Sequence, residues 1–222
     1  MARGIHAGGV LVVGLGRFGS ALAINLERLG HEVMAVDADP TLVQQYSDQL
    51  THVVEADATS EAAMRQLGAA DFHRAVVAIG TGIEASLLST GVLIDLGIPE
   101  VWAKAITTPH GRILERIGAG HVVYPERDTG QRVAHLLSGR LMDYMEFDDG
   151  FAIVKMRAPR EAHDRTLAES ALRGKYGVTI VGVKRPSEGF IYARPETYLR
   201  ADDIIIVAGS NDLVEKFATE TG

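Results

Sequence analysis

A glycine-rich segment near the start of the chain has the residue types and spacing that bind phosphate groups. It reads Gly14-Leu-Gly-Arg-Phe-Gly19 and directly follows the apolar run Val10–Val13. The first two glycines allow a tight turn and a close approach of pyrophosphate, and the third lets a helix pack closely on the strand. The free N–H groups at the start of that helix, together with the helix dipole, would bind phosphate. The residues expected to lie at a nucleotide are Gly14, Gly16, Arg17, Phe18 and Gly19.

A carboxylate at the end of the next apolar run fits the ribose of the same ligand. Asp37 lies close to the spacing of roughly 20 residues at which an acidic side chain accepts hydrogen bonds from an adenosine ribose. Its negative charge would repel the ribose phosphate of NADP. Arg17 is unusual for a hydride-transferring dehydrogenase, and a guanidinium there can reach a further phosphate. Arg17 therefore favours ATP over NAD without excluding NAD.

Further candidates follow the later apolar runs. Gly80 follows the fourth run, where backbone must pass close to a ligand in open parallel sheets. Lys104 ends the fifth run, where it either meets an anionic partner or extends to solvent. Asp57 follows the third run, where it lines an adenine or caps a helix with equal weight. The candidates at this edge are Asp57, Ala58, Ile79, Gly80, Thr81, Lys104, Ala105, Ile106, His110 and Glu126.

The elements that must position these residues form a regular alternation between residues 9 and 124. Six short apolar runs are separated by longer segments that are compatible with helices. The runs are Val10–Val13, Glu32–Asp37, His52–Glu55, Arg74–Ile79, Glu100–Ala105 and His121–Tyr124. Because they are apolar nearly throughout, both faces should be covered, as in a parallel sheet between helices. Asp39-Pro40 and Thr59-Ser60-Glu61 predict two helix starts. The fold class is α/β, a Rossmann-like doubly wound parallel sheet.

The pattern changes after Tyr124. Residues 128–144 predict one amphipathic helix, so we expect a nucleotide-binding domain at 1–127, a linker helix at 128–145 and a second domain at 146–222. The second domain is predicted to be a small α+β domain. Its predicted strands are Ala152–Met156, Thr179–Lys184, Phe190–Ala193 and Ile204–Val207, and its predicted helices are Leu167–Arg173 and Asn211–Ala218.

The composition excludes several classes of site. The chain has 222 residues, no cysteine and a formal net charge of −7. Without cysteine there is no disulfide framework, thiolate metal site or thiol nucleophile. An acidic chain without a run of Lys or Arg offers no surface for a nucleic-acid backbone. Its apolar stretches are shorter than the roughly 18 residues that suggest a membrane span. We expect a cytoplasmic protein that binds no nucleic acid.

Signatures of reductases that share the glycine loop are missing. A short-chain dehydrogenase needs a Lys four residues after a Tyr, and no Tyr of this chain has one. After Glu146, only His163 is a typical general base. The residues therefore favour a nucleotide that is bound but not turned over. An NAD(H)-dependent oxidoreductase and a free-standing NAD sensor are the alternatives.

Several segments together resemble the RCK proteins, regulators of K+ conductance, and in particular the KtrA or TrkA subunits of bacterial potassium uptake systems. These segments are Gly14–Gly19, Ala78–Ser86, Ile98–Lys104, Leu114–Ala119, Tyr124–Glu126 and Arg173–Gly177. The resemblance covers nearly the whole chain and implies an RCK-N domain followed by an RCK-C domain. It implies a homodimer that assembles into an octameric ring under a membrane-embedded, KtrB- or TrkH-like K+-translocating subunit. ATP and ADP would set different ring shapes and thereby gate K+ flux.

The resemblance also implies roles for single residues. Arg17 would meet the terminal phosphate, and Asp37, Ala38 and Asp39 would hold the ribose. The edge candidates from Asp57 to Ile106 would line the base and sugar, with His110 nearby. Glu126 would help to hold Mg2+ or Na+ beside the phosphates at a dimer interface.

A second ligand is implied for the C-terminal half. In KtrA-like members the RCK-C dimer binds cyclic di-AMP, and the matching positions are Leu167, Ala168 and Arg173. Family members commonly have a β-branched residue where this chain has Ala168. The function implied is a non-enzymatic gating subunit, peripheral to the inner face of the cell membrane through its partner.

Overall fold

The computed structural model describes residues 8–138, 140–147, 149–186 and 188–221. The chain divides into two compact units, the first ending at Glu126 and the second beginning at Arg127. No helix within the described residues combines the length and the apolar character needed to cross a bilayer.

The N-terminal unit contains six parallel strands and the helices that connect them. The strands are β1 (Val10–Val13), β2 (Val33–Asp37), β3 (His52–Glu55), β4 (Arg74–Val77), β5 (Glu100–Lys104) and β6 (His121–Val123). The helices are α1 (Arg17–Arg28), α2 (Pro40–Tyr46), α3 (Glu61–Gln66), α4 (Ile83–Asp95) and α5 (Thr108–Ile117), and α6 (Pro125–Leu137) follows β6.

The strand order is β3-β2-β1-β4-β5-β6, and every neighbouring pair is parallel. The order reverses between β1 and β4, which creates a crevice at the carboxyl ends of these two strands. All four residues of β1 are buried, since one apolar cluster lies on each face of the sheet. The predicted doubly wound α/β fold is confirmed.

The C-terminal unit contains a five-stranded antiparallel sheet of order β11-β10-β13-β8-β7 and a two-stranded sheet of β9 and β12. The strands are β7 (Asp143–Phe147), β8 (Phe151–Arg157), β9 (Arg165–Thr166), β10 (Thr179–Lys184), β11 (Phe190–Tyr192), β12 (Tyr198–Leu199) and β13 (Ile204–Ser210). The helices are α7 (Leu167–Ser170), α8 (Leu172–Tyr176) and α9 (Asn211–Thr221). The core of this unit includes Val154, Ile205, Val207, Val214 and Phe217.

The single helix predicted at 128–144 is wrong. Helix α6 ends at Leu137, and Asp143–Phe147 forms strand β7, which pairs with β8. Leu141 and Tyr144, taken as part of the helix, are both buried in the core of the C-terminal unit. The prediction rested on the apolar residues from Val133 to Leu141, which fit a helical face, but Leu141 reaches this core from the loop before β7 and Tyr144 from the strand itself.

The predicted helix Leu167–Arg173 is also wrong as a single element. It is interrupted at Ala171, whose φ of 50° places it in the left-handed region, and two short helices result. A left-handed alanine has no signature in the sequence, because glycine is the residue usually found in that conformation. Strand β4 ends at Val77 and strand β5 at Lys104, so both are shorter than the predicted runs, and Ile79 lines the crevice.

Candidate nucleotide-binding site

A cavity of about 550 Å³ opens in the N-terminal unit at the carboxyl ends of β1 and β4. Its volume lies within the range of small-molecule sites, about 300–1,000 Å³. Most of the residues predicted to contact a nucleotide line it. They are Gly14, Gly16, Arg17, Phe18, Asp37, Ala38, Asp39, Asp57, Ala58, Ile79, Gly80, Thr81, Lys104 and Glu126.

The glycine loop has the geometry that its three glycines were expected to provide. Gly14 has a φ of +98°, which side chains rarely tolerate. A Cβ at Gly19 would lie 1.8 Å from the carbonyl oxygen of Gly14, so this position permits the close packing of α1 on β1. A Cβ at Gly16 would meet no protein atom within 4 Å, and Gly16 lines the cavity. Gly16 therefore leaves room for a ligand rather than for another part of the chain.

Asp37 connects the glycine loop to the loop that follows β2. Its Oδ2 accepts a hydrogen bond from the Leu15 amide at 2.5 Å, and its Oδ1 accepts one from the Asp39 amide at 2.9 Å. Each carboxylate oxygen has two acceptor sites, so Asp37 retains capacity for ribose hydroxyls. Asp39 accepts from the Thr41 amide at 2.8 Å and caps α2, as predicted.

Asp57 and Thr59 form a small polar turn on the cavity wall. Asp57 Oδ1 accepts from the Thr59 hydroxyl at 2.7 Å and from the Thr59 amide at 2.9 Å. These two bonds, the hydroxyl first, lower the pKa of Asp57. The cap of α3 is Ser60, so the alternative role of Asp57 as that cap is wrong.

Lys104 and Glu126 form an ion pair at the other end of the cavity. The ammonium Nζ lies 2.6 Å from Glu126 Oε1 and 5.7 Å from the centre of the Phe18 ring. Lys104 is only 7% exposed, so the anionic partner indicated by the sequence is needed, and Glu126 provides it. The hydrogen bond from Lys104 is the main reason that the pKa of Glu126 is lowered. No group of three or more potential metal ligands occurs among the described residues, and a cation at Glu126 stays a prediction.

Four predicted residues do not line the cavity. Gly19 packs behind the loop, Ala105 is buried in the core, and Ile106 is exposed. His110 is buried at the start of α5, where its Nδ1 accepts from the Ile106 amide at 3.3 Å. Burial lowers the pKa of His110.

Sequence reasoning missed eight residues that line the cavity. They are Val13, Val36, Leu42, Ala56, Thr59, Ala78, Ala85 and Ser89. Most are neighbours of residues that were predicted and could have been included by adjacency. Ala85 and Ser89 are different, because they lie one turn apart on α4. Two small residues four positions apart, shortly after Gly80, could have indicated that this face of α4 lines the cavity.

The helices of the N-terminal unit differ in how they begin. Helices α2, α3 and α5 start with side-chain caps from Asp39, Ser60 and Thr107. Helices α1 and α4 start at Gly16 and Gly82 without a side-chain cap. Since the first N–H groups of a helix have no partner within the helix, the uncapped ends at the crevice offer donors to an anion.

The three residues predicted to contact cyclic di-AMP lie in the C-terminal unit. The amides of Leu167 and Ala168 donate to the carbonyls of Thr197 and Pro195, each at 2.9 Å. Arg173 is exposed on α8. Nothing in these contacts tests the binding of cyclic di-AMP, and this site stays a prediction.

Comparisons with known proteins identify the family. Models of the TrkA-N domain and the TrkA-C domain match residues 10–125 and 151–222. The chain is 37% identical over 210 residues to the Ktr system potassium uptake protein A of Bacillus subtilis (strain 168), covering 94% of this chain and 95% of that protein. It is 37% identical over 207 residues to the Ktr system potassium uptake protein C of the same organism, covering 93% and 94%.

Solved structures agree in fold. The GsuK RCK domain matches with a TM-score of 0.67 and 19% identity, over 98% of this chain and 48% of that one. The GsuK channel bound to NAD matches with the same TM-score and identity, over 98% and 40%. The chain thus spans less than half of these two proteins, and at this identity they support the fold alone. The domain matches and the full-length relatives show that the chain belongs to the TrkA/Ktr family of RCK proteins and is homologous to the Ktr potassium uptake regulatory subunits.

Proposed function

We propose that this chain is a cytoplasmic, nucleotide-responsive subunit that regulates a membrane-embedded K+-translocating protein. The observation that carries the proposal is the cavity, in which a glycine loop, the Asp37 carboxylate and two uncapped helix starts surround a space of nucleotide size. The homology to Ktr proteins indicates that nucleotide binding would regulate potassium uptake.

ATP and ADP are the proposed ligands. Arg17 and Lys104 provide cationic groups at the phosphate end of the cavity, and Asp37 provides acceptors at the ribose end. Two cationic side chains match the charge of a triphosphate better than they match the charge of the single pyrophosphate in NAD. NAD(H) is the alternative ligand, which the same glycine fingerprint also fits. Mg2+ or Na+ near Glu126 would offset the remaining phosphate charge.

The carboxylates of the cavity support binding rather than catalysis. Asp37 is held by two backbone amides, Asp57 by Thr59, and Glu126 by Lys104. A general base works best when its pKa lies near the operating pH, whereas the pKa values of Asp57 and Glu126 are lowered further from neutrality. These groups orient a ligand and neutralise charge.

Regulation by such a site depends on differential affinity. A ligand shifts a protein between two shapes only as far as its affinities for them differ, typically by about 1–3 kcal/mol. In the proposed assembly, homodimers form an octameric ring on a KtrB- or TrkH-like subunit at the membrane. A contact made to the terminal phosphate in one ring shape would separate ATP from ADP.

Calorimetry of the purified protein with ATP, ADP, NAD and NADH, each with and without Mg2+, tests the proposal. We expect Arg17→Ala to weaken ATP binding about tenfold more than ADP binding, because an ion-paired hydrogen bond to the terminal phosphate is lost. Arg28→Ala, an exposed arginine at the other end of α1, is the matched control and should change neither affinity. Equal losses for ATP and ADP in Arg17→Ala would contradict the assigned role.

A second measurement addresses assembly and the second ligand. Elution as a large ring, and nucleotide-dependent K+ flux in vesicles containing the membrane partner, are the expected results. Cyclic di-AMP would be titrated in parallel into the protein and into Arg173→Ala. Turnover of NADH with a small carbonyl compound would favour the oxidoreductase alternative instead.

A further inference from the structure

The face of α4 that packs on the N-terminal sheet carries an unusual set of hydroxyl groups. Ser86, Ser89 and Thr90 are all 0% exposed. Thr90 donates to the Ser86 carbonyl at 2.7 Å, the usual way in which a buried helical hydroxyl is satisfied. The hydroxyls of Ser86 and Ser89 have no hydrogen-bond partner among the described residues.

A buried hydroxyl without a partner destabilises the fold, and such a group in a native protein requires an explanation. A buried helical serine can donate to the backbone carbonyl four residues earlier, as Ser20 on α1 does to Gly16. Ser89 does not bond to the corresponding carbonyl of Ala85. The donor of the Ser89 hydroxyl is therefore not used within the described residues.

Only one of the two unpartnered serines lies at the cavity. Ser89 lines it together with Ala85, whereas Ser86 does not. The same wall contains Gly80, whose added Cβ would come within 3.0 Å of the Lys104 ammonium. Helix α4 also begins at Gly82 without a side-chain cap. Donor groups and a cation therefore meet on the side of the cavity formed by the β4–α4 segment.

We propose that this wall is a second phosphate-binding position, in which Ser89 donates a hydrogen bond to the phosphate farthest from the adenosine. The inference rests on the proposed nucleotide function and adds a specificity residue to it. The Ser89 hydroxyl reaches the ligand by rotating about χ1 from one staggered rotamer to another. Lys104 and the free amides at the start of α4 supply the remaining donors.

The charges around the wall are compatible with an anion. Four carboxylates line the cavity, of which Glu126 is paired with Lys104, and the others are Asp37, Asp39 and Asp57. Glu84, in the first turn of α4, is exposed and does not line the cavity. Arg17 adds a further positive charge to the cavity.

The assignment to the farthest phosphate follows from the order of the other groups. Asp37 fixes the ribose at one end, and the glycine loop with the start of α1 binds the phosphates next to it. The wall at α4 remains for the phosphate beyond them. NAD has two phosphates, both of which the glycine loop would hold, so NAD should not depend on Ser89.

Calorimetric titration of ATP, ADP and NAD into Ser89→Ala and Ser86→Ala tests this. Ser86→Ala removes an equally buried and unpartnered hydroxyl that does not line the cavity, so it is a matched control. We expect Ser89→Ala to weaken ATP binding about tenfold and to leave ADP and NAD affinities within twofold. Ser89→Cys, which keeps the size but donates weakly, should resemble Ser89→Ala.

The outcomes separate this inference from the function on which it rests. Wild-type protein that binds none of the three nucleotides would overturn both. Wild-type protein that binds ATP, with unchanged ATP affinity in Ser89→Ala, would overturn only the role of Ser89. Equal losses of ATP and ADP, or an equal loss of ATP in Ser86→Ala, would also overturn it. Because both alanine variants remove an unsatisfied hydroxyl from a helix, unliganded melting temperatures should not fall.

Discussion

The cavity of the N-terminal unit and the segment around Leu167 in the C-terminal unit differ in what their polar groups bind. At the cavity, helices α1 and α4 begin without side-chain caps, and the hydroxyl of Ser89 has no partner among the described residues. Around Leu167, a capping box of Thr166 and Glu169 satisfies the start of α7. The amides of Leu167 and Ala168 donate to backbone carbonyls.

Some donors at the cavity have no partner within the protein, whereas the donors around Leu167 are used in hydrogen bonds within the fold. Free donors around a cavity can bind a phosphate without first breaking a bond within the protein. Donors already paired must be released, or the ligand must use other groups, such as side chains or a second copy of the chain. The N-terminal unit therefore contains the more complete candidate site.

The largest expected effect comes from Gly19→Ala. The new Cβ would collide with the Gly14 carbonyl and with Ala78, so we expect the N-terminal unit to lose about 3 kcal/mol of stability together with nucleotide binding. The single tryptophan, Trp102, lies in this unit, and its fluorescence during urea unfolding measures the loss.

Gly16→Ala is the matched variant. Its Cβ meets no protein atom within 4 Å, so stability should change by less than about 0.5 kcal/mol. Nucleotide affinity should still fall, because the methyl group enters the cavity. Unchanged nucleotide affinity in Gly16→Ala would contradict the view that the glycine loop at Gly16 leaves room for a ligand.

A smaller effect, confined to the C-terminal unit, is expected from Asp203→Ala. This carboxylate is buried, accepts from the Arg200 amide at 2.9 Å and lies 3.6 Å from Arg185 Nε. Because its removal leaves the Arg200 amide without its acceptor and Arg185 without a buried carboxylate nearby, we expect a loss of about 2 kcal/mol, followed by circular dichroism. Asp202→Ala, its exposed neighbour, is the control. A large change in ATP affinity would show that the two units are not independent in this respect.

The smallest expected effect is a pH dependence in the N-terminal unit. Burial lowers the pKa of His110 below 6.5, so in mildly acidic solution the unfolded chain binds more protons than the folded chain. This contribution to stability is complete above pH 6.5 and is lost as the pH falls through the lower pKa of the folded state. His110→Asn keeps an acceptor for the Ile106 amide and should flatten the dependence of unfolding on pH between 7 and 5. An identical slope in both proteins would contradict this explanation.

The N-terminal unit was predictable from local sequence to a large extent. Its strands are short apolar runs, and its glycine loop has spacing that few other structures produce. The cap of α2, Asp39, was also visible in the sequence and is confirmed, and the cap of α3 is Ser60, one of the two hydroxyl residues at the predicted helix start. In each case the residues that decide the structure lie within a few positions of one another.

The features that sequence reasoning missed depend on distant contacts. Lys104 finds Glu126 across 22 residues, and only the fold brings the two together. Ser89 reaches the cavity because of the way α4 lies on the sheet. Strand β7 was taken for the end of a helix, because the apolar residues from Val133 to Leu141 share a helical face, whereas the pairing of residues 143–147 with β8 is visible only in the fold.

The two amides bound to Asp37 have a consequence for the cost of recognition. Since the Leu15 and Asp39 amides hold the carboxylate in one orientation, its rotational freedom is lost when the protein folds and not when a ligand arrives. The proposed ribose would therefore meet acceptors that are already in place. A glutamate would keep the charge, but its longer side chain would have to fold back to accept from the same two amides. At this position the length of the side chain matters as much as its charge.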